Sequence, residues 1–396
     1  MRNQLRALVA LGFGALMLCG ASYAADPGVT DTEIKLGNTG SYSGPASSAV
    51  PQVLAPIAYF KMLNEKGGIN GRKVNIVSLD DGFSPPKTVE MTRKLVEQDN
   101  VLFVFGQMGT AAASAVQPYL NGKGIPQLLI GSGASKFNNP SKFPWTIGTS
   151  ASYRGEAVAF GKYIRQKMPN AKVGIYYQND DLGKDYLEGL TEGLGDKAAT
   201  AIVAKAPLDV SEPTFDSQIL SLKSAGANVL VIASITKPAV YALRKTVELD
   251  WKPQIFLTLA AASVSSTMEP AGGAALTGVI TTTAYKDASD ARWAKDPEYL
   301  EYVAFMEKYL PQLNKNDQFS VSGYIVAQVV AKILTDAGND LSRENIKKVT
   351  TSIKNFRPKM AAPDVSFTLS PTDYEMFKSL QLMRFNGKSF EPLSGS

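Results

Sequence analysis

From Glu33 onward the chain alternates short apolar runs with segments in which apolar residues recur every three or four positions. The runs EIKLGN, KVNIVSLD, VLFVFG and PQLLIG are too continuously apolar for strands with one wet face, and read as strands of a parallel sheet covered on both sides. Between them LAPIAYFKMLNEKGG, TVEMTRKLVEQD and AAASAVQPYLNGKG carry the helical period. Gly67 and Gly68 stop the first helix, Gly122 and Gly124 the third, and Ser84 followed by Pro85 and Pro86 starts the second. The rhythm pauses near FPWTIGTSASYRGEA and restarts with KVGIYYQND, TAIVAKAPL, NVLVIASI and QIFLTLA as strands, interleaved with YLEGLTEGLG, FDSQILSLKSAGA and PAVYALRKTVELDW as helices. After AGGAALTG come the strand GVITTTAY, the helices EYLEYVAFMEKYLPQL and VSGYIVAQVVAKILTDAG, and the short strands DVSFTLS and SLQLMRFNG. The pattern predicts an α/β protein of two doubly wound lobes. Residues 25–148 with 283–355 form the first and 149–282 with 356–396 the second, so three crossings make a hinge.

The first 24 residues stand apart from that rhythm. Arg2 and Arg6, an apolar stretch from Ala7 to Leu18, and small residues ending in Ser22 and Ala24 have the three-part layout of a secretory signal peptide cut near Ala24. The apolar stretch is far shorter than the roughly 20 residues that span a bilayer. The expectation is a protein released into the periplasm. Cys19, the only cysteine among 396 residues, falls in the leader, and there is no histidine. The mature chain therefore has neither thiolate chemistry nor the commonest general base and zinc ligand, and no cofactor is expected. Its mild positive charge, +5 before the two leader arginines leave, is spread without a basic block, which argues against nucleic acid as a partner.

In open α/β sheets ligands bind beyond the carboxyl ends of the strands, where helix starts aim backbone amides outward. The segments there are SYSGPASS, DDG, GQMGT, GSGAS, QNDDLG, SITKP and TLAAAS. GQMGTA fits neither a P-loop nor a dinucleotide fingerprint. Thr110 suits a helix N-cap whose hydroxyl bonds its own helix or an incoming anion. Asp80 with Asp81, and Asp180 with Asp181, are paired carboxylates that suit turns and caps better than glycosidase chemistry. No serine has an activating partner in sequence. Of the aromatics near strand ends, Tyr42, Trp145, Tyr153, Tyr176 and Tyr177, only Tyr42 and Tyr153 lie among turn residues and suit a cleft.

The motifs IKLGNTGSYSGPASS, GGINGRKV, DDGFSPPKT, VLFVFGQMGTAAASAVQPYLNGKGIPQL, YYQNDDLGKDY and SPTDYEMFKSLQLMRFNG resemble those of the periplasmic solute-binding proteins of branched-chain amino acid ABC transporters. The likeness spans essentially all of the mature chain. GSGASKFNNPSKFPWT and QNDDLGKDYLEGL are most similar to the branch associated with aromatic carboxylates. The resemblance implies a type I periplasmic binding protein fold with a three-strand hinge, a non-enzymatic monomer, and a small carboxylate ligand handed to a membrane permease. It places a carboxylate clamp on Met108, Gly109 and Thr110, and a second on Gly131, Ser132 and Gly133. Leu259 stands where relatives hold the ligand ammonium with a glutamate, Leu182 where many have tyrosine, and Ile235 and Thr236 face the far end of the ligand. An apolar residue at 259 suits an apolar or aromatic acid without an amine, because an unpaired buried ammonium is penalised. An amino acid binder remains open if Asp180, Asp181 or Glu269 supplies the charge. A receptor's ligand-sensing partner, or a hydrolase built on the paired aspartates, are the readings from other classes.

Overall fold

The structure, a computed structural model, describes residues 26–148, 151–377 and 380–393. The expected leader and Cys19 lie outside the described residues. The first lobe opens with β1 (Glu33–Gly40), α1 (Val50–Glu65), β2 (Lys73–Asp80), α2 (Pro85–Glu97), β3 (Val104–Phe105), α3 (Thr110–Gly122), β4 (Gln127–Ile130) and β5 (Thr146–Gly148). Its five strands are parallel in the order β2-β1-β3-β4-β5. The run VLFVFG yields only a two-residue strand, yet Leu102 N–H reaches Lys35 O at 2.8 Å and Gly106 N–H reaches Leu128 O at 3.0 Å, so its backbone is paired on both sides.

The second lobe contains α4 (Tyr153–Lys167), β6 (Val173–Gln178), α5 (Asp181–Leu194), the single turn α6 (Ala198–Ala201), β7 (Ile202–Leu208), α7 (Asp216–Ser224), β8 (Val229–Ala233), α8 (Thr236–Glu248), β9 (Gln254–Leu257), the short α9 (Glu269–Ala271) and β10 (Ile280–Thr283). The chain then returns as α10 (Pro297–Tyr309), α11 (Gln318–Ala337) and α12 (Arg343–Thr350), and closes with β11 (Gln381–Phe385) and β12 (Phe390–Pro392). The second sheet runs β12-β11-β10-β9-β8-β6-β7, and only β11 runs against the others, pairing antiparallel with both β10 and β12. This is an α/β fold of two doubly wound lobes.

The returning helices complete the first lobe rather than the second. Tyr302, Phe305, Tyr324 and Ile333 are buried in the same core as Leu36 and Phe60. Tyr59 of α1 meets the Tyr324 ring edge-on at 5.5 Å. Gly323 permits the approach, since a Cβ there would sit 2.8 Å from Gln52 O on α1.

The chain passes between the lobes three times, after Gly148, after Thr283 and after Phe377. The second crossing is tied to the 360–362 segment: Lys286 N–H donates to Met360 O at 2.9 Å and Ala362 N–H to Ala284 O at 3.0 Å. The third crossing falls later than the expected 355/356, because Val365, Phe367, Leu369 and Met376 are buried in the first-lobe core. The segment DVSFTLS is not the expected strand, and around it only the isolated bridges Phe356–Phe367 and Ser370–Asp373 form. Pro358, Pro363 and Pro371 flank it and remove ladder donors.

Helices α4 and α5 carry the second-lobe wall of the cleft and touch through glycines. A Cβ on Gly193 would lie 2.4 Å from Val158 O, and one on Gly189 2.3 Å from Arg154 O. Overpacking of this kind costs about 1–3 kcal/mol. Gly193→Ala is accordingly expected to lower the urea midpoint of unfolding, and an unchanged midpoint contradicts the close packing.

Candidate functional site

In the first sheet strand order reverses between β1 and β3, and in the second between β6 and β8. The carboxyl ends of these strands face one another across the hinge, which is where a crevice is expected. Two adjoining cavities, about 70 Å³ and about 50 Å³, lie there and share Met108, Gly131, Tyr153, Ala260 and Phe319. The smaller is walled by Ala46 and Ser48 after β1, Gly109 and Thr110 after β3, Gln178 and Leu182 after β6, and Ile235 and Thr236 after β8. The larger adds Gln52, Glu156, Leu259, Tyr285, Gln318 and Ser322. Among the described residues, no lysine or arginine lines either cavity.

The lobes are in contact around these cavities. Asp185 of α5 accepts from Ser135 N–H at 2.6 Å and from the Ser135 hydroxyl at 2.7 Å. Beside it Lys136 pairs with Asp181 at 2.9 Å. On the other side Gln318 Nε2 of α11 donates to Leu259 O at 3.0 Å. The conformation is closed.

The anion end is built at the start of α3. Gly109, not Thr110, is the N-cap, and adopts φ +90°, where any Cβ would also strike the Phe83 ring at 2.4 Å. Thr110 is the first helical residue. The first intrahelical bond is Ala113 N–H to Gly109 O at 3.0 Å, so the amides before it find no acceptor within the helix. The Thr110 hydroxyl lies 2.7 Å from Ser132 Oγ. Ser132 Oγ accepts from Ala134 N–H at 3.3 Å and hydrogen-bonds Tyr153. Either hydroxyl of the Thr110–Ser132 pair can be the donor, and when Ser132 donates, the Thr110 hydrogen is left for a ligand. Burial pushes the Tyr153 hydroxyl up to about 12, so it stays a donor.

Of the residues singled out in sequence, Met108, Gly109, Thr110, Gly131, Tyr153, Leu182, Ile235, Thr236 and Leu259 come together on the two cavities. Tyr42 does not: its hydroxyl donates to Ser78 at 2.8 Å, away from the cleft. Ser132 and Gly133 sit behind the wall, where a Cβ on Gly133 would meet Ala151 O at 1.9 Å. Asp180 caps α5, accepting from Leu182 N–H at 2.9 Å and from Gln178 Nε2 at 3.0 Å, while Gln178 Oε1 takes Ile235 N–H at 2.7 Å. Neither Asp180, Asp181 nor Glu269 lines the cavities.

The carboxyl that does is Glu156, 1% exposed in the first turn of α4. Its Oε1 accepts from Leu259 N–H at 2.9 Å and from Thr282 Oγ1 at 2.6 Å, and its Oε2 from the Tyr186 hydroxyl and, at 3.4 Å, from Thr258. The sequence carried a sign of it, because Tyr153, Glu156, Ala157 and Phe160 share one helical face and the other three are apolar. Burial raises its pKa above the ordinary glutamate value of 4.5, against the pull of those donors. A folded-state value raised in this way gives stability that is complete below 4.5 and declines as pH rises through the folded value. Glu156→Gln is therefore expected to remove part of the fall in melting temperature between pH 4 and pH 8. Parallel melting curves for the two proteins contradict it.

The fold and crevice are those of a ligand-binding cleft protein. A family model described as periplasmic binding protein matches residues 33–389, and the chain belongs to that family. It is 23% identical over 370 residues to Leu/Ile/Val-binding protein homolog 2 of Brucella abortus (strain 2308), covering 91% of this chain and 94% of the relative. Among solved structures, a branched chain amino acid ABC transporter protein from Thermus thermophilus with bound valine superposes with a TM-score of 0.81 at 18% identity, over 92% of this chain and 96% of that one. A fatty acid ABC transporter substrate-binding protein from Thermomonospora curvata gives 0.79 at 20% identity, over 93% of each. The shared fold is that of type I periplasmic binding proteins.

Proposed function

We propose that this chain is the substrate-binding component of an ABC importer. It is secreted into the periplasm, acts as a monomer, and captures a small carboxylic acid with an apolar or aromatic body and no obligatory amine. The observation that carries this reading is the α3 start, where amides without an acceptor in the helix and the Thr110 hydroxyl adjoin a cavity whose wall also carries Met108, Phe319, Leu182 and Ile235. A single carboxylate suits amides and a hydroxyl, which stabilise one negative charge without a basic side chain. The ligands named for the two superposed proteins, valine and fatty acids, share that group. The acid docks on the first lobe, the second closes over its body, and the closed form is presented to the membrane permease.

A second reading, an amino acid ligand, is favoured by Glu156 in the cavity wall. Isothermal titration with benzoate, hexanoate, valine and leucine separates the two. One-to-one binding of an amine-free acid supports the first. Tight leucine binding with no amine-free acid bound overturns it in favour of the second.

A further inference from the structure

We propose that Glu156 is a specificity-determining residue of the cleft, selecting a carboxylic acid whose body carries a hydrogen-bond donor, hydroxyl or ammonium, distant from the carboxylate. The proposal rests on the reading above that the α3 amides hold the carboxylate.

Three observations support it. First, Glu156 faces the ligand cavity itself, on the side lined by Leu259, Tyr285 and Gln318. Second, its carboxyl has no partner among the described ion pairs, and no described residue lining either cavity is basic. Its four donors are three hydroxyls and one amide, all neutral, so they fix the carboxylate without cancelling its charge. A buried charge left in this state is unfavourable, and a donor brought in by the ligand is the partner that relieves it. Third, the donors are uneven. Oε1 is filled by two good bonds, whereas Oε2 has Tyr186 and only a 3.4 Å contact from Thr258, whose hydroxyl oxygen in turn accepts Ala260 N–H at 3.2 Å. Oε2 is thus the acceptor with room for one more donor.

The same geometry defines the variant. In Glu156→Gln the fixed N–H of Leu259 claims the single amide oxygen, and the NH₂ falls on the Oε2 side. Tyr186 and Thr258 can rotate their hydroxyls to accept from it. One acceptor of a cavity-lining side chain becomes a donor, with little change of shape.

The test is calorimetric titration of two matched pairs, benzoate against 4-hydroxybenzoate and hexanoate against 6-aminohexanoate. Wild type and Glu156→Gln are compared, with circular dichroism confirming that the variant is folded. In the wild type at least one donor-bearing member should bind ten-fold or more tightly than its mate, and that ratio should fall toward one in the variant. Absence of any donor preference in the wild type overturns the proposal whether or not the variant folds. So does a preference that survives Glu156→Gln unchanged. If no carboxylate of either kind binds the wild type, the reading of the α3 clamp has failed instead.

Discussion

Thr110→Val should weaken binding of the carboxylate ligand by about 10- to 100-fold, because a hydrogen bond to a charged group contributes about 1.5–3 kcal/mol. Valine keeps the shape of the side chain and removes the hydroxyl that can donate to the ligand, together with its hydrogen bond to Ser132. The remaining amides of the α3 start should retain residual binding, and the melting temperature of the unliganded protein should move little. Calorimetry checks the prediction. Wild-type affinity in the valine variant would mean that the carboxylate sits elsewhere.

Asp185→Ala should raise the ligand dissociation rate and weaken affinity about ten-fold or more, although Asp185 does not line the cavities. Its carboxylate is nearly buried and takes both the amide and the hydroxyl of Ser135 from the opposite lobe, so both bonds exist only when the lobes meet. Lys136→Ala, which breaks the partly exposed pair with Asp181, should have little effect, because such pairs contribute about 0–1 kcal/mol. Stopped-flow dissociation and small-angle scattering of the ligand-saturated proteins separate the two. A ligand-saturated Asp185→Ala protein as compact and as slow to release as the wild type would remove Asp185 from the closing contact.

The parallel sheets and their helices were legible in the chain because buried strands and amphipathic helices have different periods, and the αβ alternation survives any error of a residue or two. The wall formed by Met108, Gly109, Thr110 and Gly131 was legible for a related reason: strand ends at a reversal of strand order are local in sequence. What escaped was tertiary. Glu156 reaches the cleft only because α4 docks on α5 through Gly189 and Gly193, and its partners Leu259 and Thr282 come from β9 and β10 regions more than one hundred residues away. Gln52 and Gln318 belong to helices whose strand-end positions appear only when the hinge brings the lobes together. Tyr42 misled for the opposite reason, since a turn context places a residue near a strand end without deciding which way it points; here it turns to Ser78. The third crossing was misplaced because the apolar alternation of DVSFTLS marks a buried face, and the face it covers is the first-lobe core.

Leu259 changes meaning in the folded protein. Read alone it marks the loss of a negative charge from the second lobe. Its amide, however, is held by the Glu156 carboxylate and its carbonyl by Gln318 of the first lobe, so one residue links a buried acid to the closing contact.

The central claim is that this closed cleft holds a small carboxylic acid. Native mass spectrometry of the purified full chain, followed by denaturation and identification of whatever is released, tests it most directly. The account predicts a one-to-one adduct that yields a small carboxylic acid with an apolar or aromatic body. Release of a molecule without a carboxylate, such as a neutral sugar, would contradict it.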